Sequence, residues 1–230
     1  MNPADRPLKI AVLISGRGSN MQALVAQVRD SKIVLVAANK PADGLDIAAQ
    51  AGIETCLVNR SEYDSKASHE AALATAIEAS DAQWICLAGY MAVLSADFIE
   101  RFSGRILNIH PSLLPDYKGL HTHKRALEDN KALHGVSVHL VTPELDDGAV
   151  IAQMQLPVFN TDTEDSLSQR VLVLEHMLYP MVINALASGA LQLGDGTVQW
   201  RDKSVAQTLT LPEGCLLYTS DAADEGLGVD

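Results

Sequence analysis

Five short apolar runs alternate with stretches of helical periodicity between residues 8 and 109, and this alternation restricts the fold more than any other feature. The runs are Leu8 to Ile14, Lys32 to Ala38, Glu54 to Val58, Gln83 to Ala88 and Arg105 to Ile109. Apolar runs of this length read as strands buried on both faces. The intervening segments predict helices from about Asn20 to Arg29, Gly44 to Ala51, Asp64 to Ala79 and Ser95 to Phe102. Strand–helix–strand alternation predicts parallel βαβ units, and so an α/β, Rossmann-like, three-layer architecture with a mostly parallel central sheet.

The pattern changes after residue 110. A loop and short helix are expected between Pro111 and Asp129. Gly135 to Val141 alternates as a strand, with Ala149 to Leu156 as its hairpin partner or neighbour. An amphipathic helix follows from Asp165 to Ser188, bent by Pro180. Leu191 to Leu193 and Val198 to Trp200 flank Gly194-Asp-Gly as a terminal hairpin. The C-terminal part is therefore expected to be antiparallel. One domain is expected over residues 1–214.

Residues 215–230 read differently. Cys215-Leu-Leu-Tyr-Thr-Ser-Asp-Ala-Ala-Asp-Glu-Gly-Leu-Gly-Val-Asp resembles a translated sequencing adapter, a transposase mosaic end read in frame. Its small and acidic residues fit a non-native, disordered tail. The tail holds four acids and no bases, so the formal charge of −12 becomes −8 without it. Either value argues against a generic nucleic-acid surface. No signal peptide is expected, and no apolar stretch approaches the ~20 residues of a membrane span. Cys56, Cys86 and Cys215 are scattered, which fits a reducing, cytoplasmic setting and not a disulfide framework.

Two local patterns carry chemistry. The first is Ser15-Gly-Arg-Gly-Ser-Asn20, between the first strand and its helix. It starts like a dinucleotide fingerprint, but the third glycine position is Met21 and the next strand ends in Asn39-Lys40 without a ribose-binding acid. A tight turn capped by Ser19 or Asn20 and a cradle for one phosphate are equally compatible with it.

The second is Asn108-Ile-His-Pro-Ser-Leu-Leu-Pro115, read with Asp146. Asn108 and His110 are two apart, so they project to one side of a strand end. Pro111 and Pro115 force the chain out of the sheet. Asp146 lies on the glycine loop Leu145-Asp-Asp-Gly148, free to fold back. A carboxylate beside His110 favours imidazolium, and Asn with His⁺ can stabilise a developing oxyanion. Ser112 lacks a nucleophile-elbow context, so direct attack by a substrate on a carbonyl is the chemistry indicated. A polar loop anchor is the structural alternative.

Five of seven histidines fall between 110 and 139. His121 and His123 lack further ligands at metal-site spacing, so no metal is expected, and they are read as shaping the loop. His139 is expected to be a satisfied structural histidine, and His69 and His134 surface residues.

Several separated motifs, in order, resemble the folate-dependent phosphoribosylglycinamide formyltransferases over about residues 8 to 205. They are Leu-Ile-Ser-Gly-Arg-Gly-Ser-Asn20, Leu-Ala-Gly-Tyr-Met91, Asn108 to Pro115, Gly119-Leu-His-Thr-His123, Gly135-Val-Ser-Val-His139, Glu144-Leu-Asp-Asp-Gly148 and Glu175-His176. The resemblance implies the formyltransferase fold and transfer of a formyl group from 10-formyltetrahydrofolate to the amine of phosphoribosylglycinamide, in de novo purine (IMP) biosynthesis.

It implies that Asn108 and His110 stabilise the tetrahedral oxyanion while Asp146 keeps His110 charged and helps the amine lose its proton. Gly18, Ser19 and Asn20 would bind the ribonucleotide phosphate, and Glu175 the amine or ribose. Met91, Val93 and Leu94, with Asn108, Thr142 and Asp146, would bind the folate. Ala92 stands where the family usually has Arg. The expected partners are small molecules, without nucleic acid or membrane, for a cytoplasmic monomer or weak homodimer. The alternatives are a formyltetrahydrofolate hydrolase and a non-catalytic phosphometabolite-binding module; a methionyl-tRNA formyltransferase is disfavoured by the missing extra domain and basic surface.

Overall fold

The computed structural model describes residues 7–194, 197–201 and 208–210. The adapter-like residues 215–230 and the centre of the Gly-Asp-Gly turn lie outside the described residues.

Eight strands form one sheet: β1 (Leu8–Ile14), β2 (Ser31–Ala38), β3 (Thr55–Leu57), β4 (Trp84–Leu87), β5 (Ile106–His110), β6 (Leu133–Leu140), β7 (Val150–Pro157) and β10 (Thr208–Thr210). Their order is β10-β7-β6-β5-β4-β1-β2-β3. β6 pairs antiparallel with both β5 and β7, while every other pairing is parallel. One reversed strand thus accounts for the antiparallel part expected from the sequence. A separate hairpin of β8 (Leu191–Gly194) and β9 (Thr197–Trp200) rests on the sheet, where Trp200 Nε1 donates to Ile151 O at 3.2 Å.

The helices are α1 (Ser19–Gln27), α2 (Asp43–Gln50), α3 (Lys66–Ala79), α4 (Ala96–Arg101), α5 (Thr122–Glu128) and α6 (Glu164–Ala187). Burial on both sheet faces is visible along β1. Ile10, Val12 and Ile14 join a core with Leu24 of α1 and Leu174 and Leu178 of α6. Ala11 and Leu13 join the opposite core with Leu73 of α3 and Phe98 of α4. Alternation along a strand sends successive side chains to opposite faces, which makes three layers.

Polar residues set the helix starts. Ser65 and Ser68 form a reciprocal capping box on α3, as do Thr163 and Ser166 on α6. Pro180 lies inside α6 and is buried. At 24 residues α6 reaches membrane-spanning length, but Glu175 sits mid-helix and its apolar face is buried against the sheet.

Several expectations require correction. Neither Ser19 nor Asn20 caps α1; the cap position is Gly18, in the left-handed region at φ 70°, with no side-chain cap bond. His69 and His134 are buried, not on the surface. His69 Nε2 reaches Val58 O at 2.8 Å and its ring meets Tyr63 edge-on, which offsets the cost of burying a polar ring. A 3₁₀ turn at Arg60–Glu62 and the short edge strand β10 were not anticipated.

Candidate active site

The chain leaves β1 toward β2 on one side and returns to β4 on the other. Such a switch point opens a crevice beyond the carboxyl ends of the parallel strands. The glycine loop after β1, the loop after β4 and the end of β5 all lie at this end.

At the glycine loop, Gly18 supplies the positive φ that turns the chain into α1. Gly44 lets α2 approach closely, since a Cβ there would lie 2.5 Å from Ile14 Cδ1. The first helical bond runs from Gln22 N to Gly18 O at 2.9 Å. Without a side-chain cap, the amides of the first turn keep their capacity to bind an anion. The Asn20 side chain is already committed: its Nδ2 donates to Glu175 Oε2 at 2.5 Å. Asn20 Oδ1 is buried without a partner among the described residues. Burial pushes the Glu175 carboxyl above its usual range, opposed in part by the Asn20 bond. The structure therefore joins two residues to which the sequence assigned separate tasks.

Asn108 and His110 flank Ile109 on the last turn of β5, opposite His139 and Ser137 of β6. His110 Nε2 donates to Tyr117 O at 2.9 Å. Its Nδ1 lies 3.4 Å from Asp146 Oδ2, an ion-pair distance and not a short hydrogen bond. Both ring nitrogens face acceptors, and a ring that donates from both carries a positive charge. As placed, Nε2 is taken by Tyr117 O and Nδ1 faces the Asp146 carboxylate.

Asp146 occupies a left-handed backbone position at φ 49°. Its Oδ2 also accepts from Gly119 N at 2.9 Å, and its Oδ1 lies 3.6 Å from His139 Nε2. The loop carrying Asp146 does fold back onto His110, which spacing alone left open.

His139 is structural, as expected, but it also touches the site. Its Nδ1 faces Leu140 O at 2.8 Å and must carry the proton. Burial holds its basicity below the usual range, against the opposing pull of the Leu140 bond and Asp146. Nε2 is then a lone pair, and it accepts from Asn108 Nδ2 at 3.1 Å. This bond orients the Asn108 amide, whose second N–H has no partner among the described residues. Sequence reading gave His139 no place in the site, although its position opposite Asn108 in a β5–β6 pairing could have suggested one.

The remaining expected residues divide. Met91 is 66 % exposed and Val93 61 %, so both present apolar surface. Leu94 is 6 % exposed and packs with Phe98 and Ile99, so its side chain belongs to the core and not to an open slot. Thr142 is half-buried and donates to Glu144 O at 3.3 Å. Leu120 and Leu145, which the sequence reading did not single out, are exposed beside the Gly119–Asp146 bond. Apolar residues inside glycine-flanked loops were their only signal. His121 is exposed in a left-handed position before α5, while His123 Nδ1 contacts buried His134 Nε2 at 3.1 Å. Among the described residues no group of His, Cys, Asp and Glu is arranged to hold a metal ion.

Comparison with known proteins places this geometry in context. Residues 8–183 match the family model described as Formyl transferase. The phosphoribosylglycinamide formyltransferase of Escherichia coli (strain K12) is 45% identical over 200 residues, covering 85% of this chain and 94% of that protein. The human trifunctional purine biosynthetic protein adenosine-3 is 41% identical over 198 residues, covering 84% of this chain and 20% of that protein. The structure of the phosphoribosylglycinamide formyltransferase from Coxiella burnetii superposes with a TM-score of 0.83 at 41% identity, covering 90% of this chain and 100% of that one.

Proposed function

From the premise that the chain belongs to the formyl transferase family, we propose that it moves a formyl group from 10-formyltetrahydrofolate to the amine of phosphoribosylglycinamide, a step of purine biosynthesis. The observation that carries the mechanism is the cluster of Asn108, His139, His110 and Asp146 at the end of β5, with no activated nucleophile beside it among the described residues. A site with oriented donors and no nucleophile suits direct attack by the substrate amine.

The exposed apolar side chains of Met91 and Val93 fit a flat, partly apolar folate ring. The folate brings the formyl carbon that the amine attacks. Asn108 donates its second N–H to the formyl oxygen as negative charge develops there. His110, held by its bond to Tyr117 O and facing the Asp146 carboxylate, is the second group that stabilises that charge. Asp146 holds His110 in place and, through water, takes up the proton lost by the amine. The tetrahedral adduct then collapses, the bond from the formyl carbon to folate N10 breaks, and that proton passes to N10 to release tetrahydrofolate. The first-turn amides of α1, at Ser19 and Asn20, hold the phosphate after Gly18. Glu175, steadied by Asn20, meets the amine or ribose. Ala92 leaves the rim of the folate loop without a cation. The chain works in the cytoplasm on small molecules, as a monomer or weak homodimer, without nucleic acid or membrane.

The test is release of tetrahydrofolate from 10-formyltetrahydrofolate, with and without phosphoribosylglycinamide. Turnover that requires the ribonucleotide supports transfer. Turnover without it makes the protein a hydrolase, and none in either condition makes it a binding module. His110→Ala is expected to abolish turnover with the fold intact, and near-normal rate would remove His110 from the mechanism.

A further inference from the structure

Ser15 directly follows β1, is 4 % exposed, and belongs to none of the groups assigned above. The backbone ladder between β1 and β4 closes with Ala88 N donating to Leu13 O at 2.9 Å. The next residue, Gly89, turns the chain away at φ 74°. Beyond that point the Ser15 side chain takes over: Met91 N donates to Ser15 Oγ at 2.8 Å. The Ser15 hydroxyl proton goes to Asn39 Oδ1 at 2.7 Å, at the end of β2. Asn39 is itself held, since its carbonyl accepts from Arg60 N at 2.9 Å.

We propose that Ser15 is a positioning residue for the folate side of the site, its hydroxyl fixing the loop that displays Met91 and Val93. This rests on the folate-binding assignment of that loop. The geometry makes the hydroxyl hard to replace. It serves as acceptor and donor at once, and Asn39 Oδ1 sets which lone pair is left for Met91 N–H. Met91 and Val93 are more than 60 % exposed, so packing of their side chains does little to hold the backbone that carries them. Leu94, packed in the core, anchors only the far end of the loop. At the near end Tyr90 packs in the same core, and the Ser15 bond fixes the backbone at the next residue, Met91, whose side chain has left the core. The phosphate cradle, by contrast, is set by Gly18 and Gly44 and does not use the Ser15 hydroxyl.

The experiment compares the full chain with Ser15→Ala and Ser15→Thr in steady-state transfer, and in calorimetric binding of tetrahydrofolate. Loss of one buried, doubly used hydroxyl is expected to raise KM for 10-formyltetrahydrofolate and Kd for tetrahydrofolate about tenfold. KM for the ribonucleotide should move by less than about twofold, and Ser15→Thr should restore most of the folate affinity because it keeps the hydroxyl. Equal changes in both KM values, or a fall in kcat with both KM values unmoved, would mean a general structural role and overturn the proposal. Wild-type folate affinity in Ser15→Ala also overturns it, as does a Ser15→Thr variant that folds and binds no better than Ser15→Ala. Absence of transfer by the unaltered chain counts instead against the functional reading on which the proposal rests.

Discussion

Lowering the pH should weaken the fold at one identifiable pair, His134 and His123. His134 is 1 % exposed and burial pushes its pKa down to about 4, with His123 and His110 adding to the shift. A hydrogen bond to the Pro111 backbone opposes the shift without overcoming it. His134 Nε2 faces His123 Nδ1 at 3.1 Å, within the same buried pocket. Burial likewise lowers the basicity of His123. A histidine whose folded pKa lies below its unfolded value contributes stability above about 6.5 that is lost as pH falls toward 4.

With a folded value of about 4, linkage gives a loss of about 2 kcal/mol between pH 7 and pH 5 from His134 alone. The measurement is urea unfolding at pH 8, 7, 6 and 5 for wild type and His134→Gln. The amide of glutamine can still donate to Pro111 O but does not titrate. Other groups titrate in both proteins, so the difference between the two curves isolates the pair. Wild type should lose about 2 kcal/mol more than the variant over this range. Parallel curves would refute the claim that the pair is buried neutral.

Other expectations follow from the same geometry. Asn108→Ala should lower kcat about 10²–10³-fold, because it removes the free donor, and should cost about 1–3 kcal/mol in denaturant unfolding, because it leaves the buried His139 Nε2 unpaired. His139→Leu, which removes the acceptor that orients Asn108, should lower kcat about tenfold and leave both KM values near wild type. Glu175→Gln should raise the unfolding temperature by a few degrees at pH 8, where the buried carboxylate is charged, and should lose that gain below pH 4; ribonucleotide KM should rise at the same time. Gly18→Ala should cost about 1–2 kcal/mol in denaturant unfolding, because φ is 70° and the new methyl would lie 3.1 Å from Met21 Cε.

The element order and the parallel sheet were legible in the sequence because apolar period and turn residues are local signals. The five strands between 8 and 109 appear within one or two residues of their expected limits. Helix starts fall within two residues of those expected, but the cap of α1 was misread, because the chain turns there at Gly18, which has no side chain to signal a cap. Burial of His69 and His134 was missed because one histidine looks the same in a sequence whether or not a carbonyl waits for it. β10 was missed because three residues joining an edge strand carry no pattern of their own.

The alternation of apolar runs therefore determined, by itself, a doubly covered parallel sheet, and the motif at Asn108 determined that a polar pair stands at a strand end. Only tertiary structure decided which groups that pair meets. Asp146 reaches His110 from 36 residues away, His139 holds Asn108 from 31, and Asn20 reaches Glu175 across 155. Those separations close because β6 runs against β5 and α6 packs on α1, and contacts between distant segments are set by packing, which a local pattern does not encode.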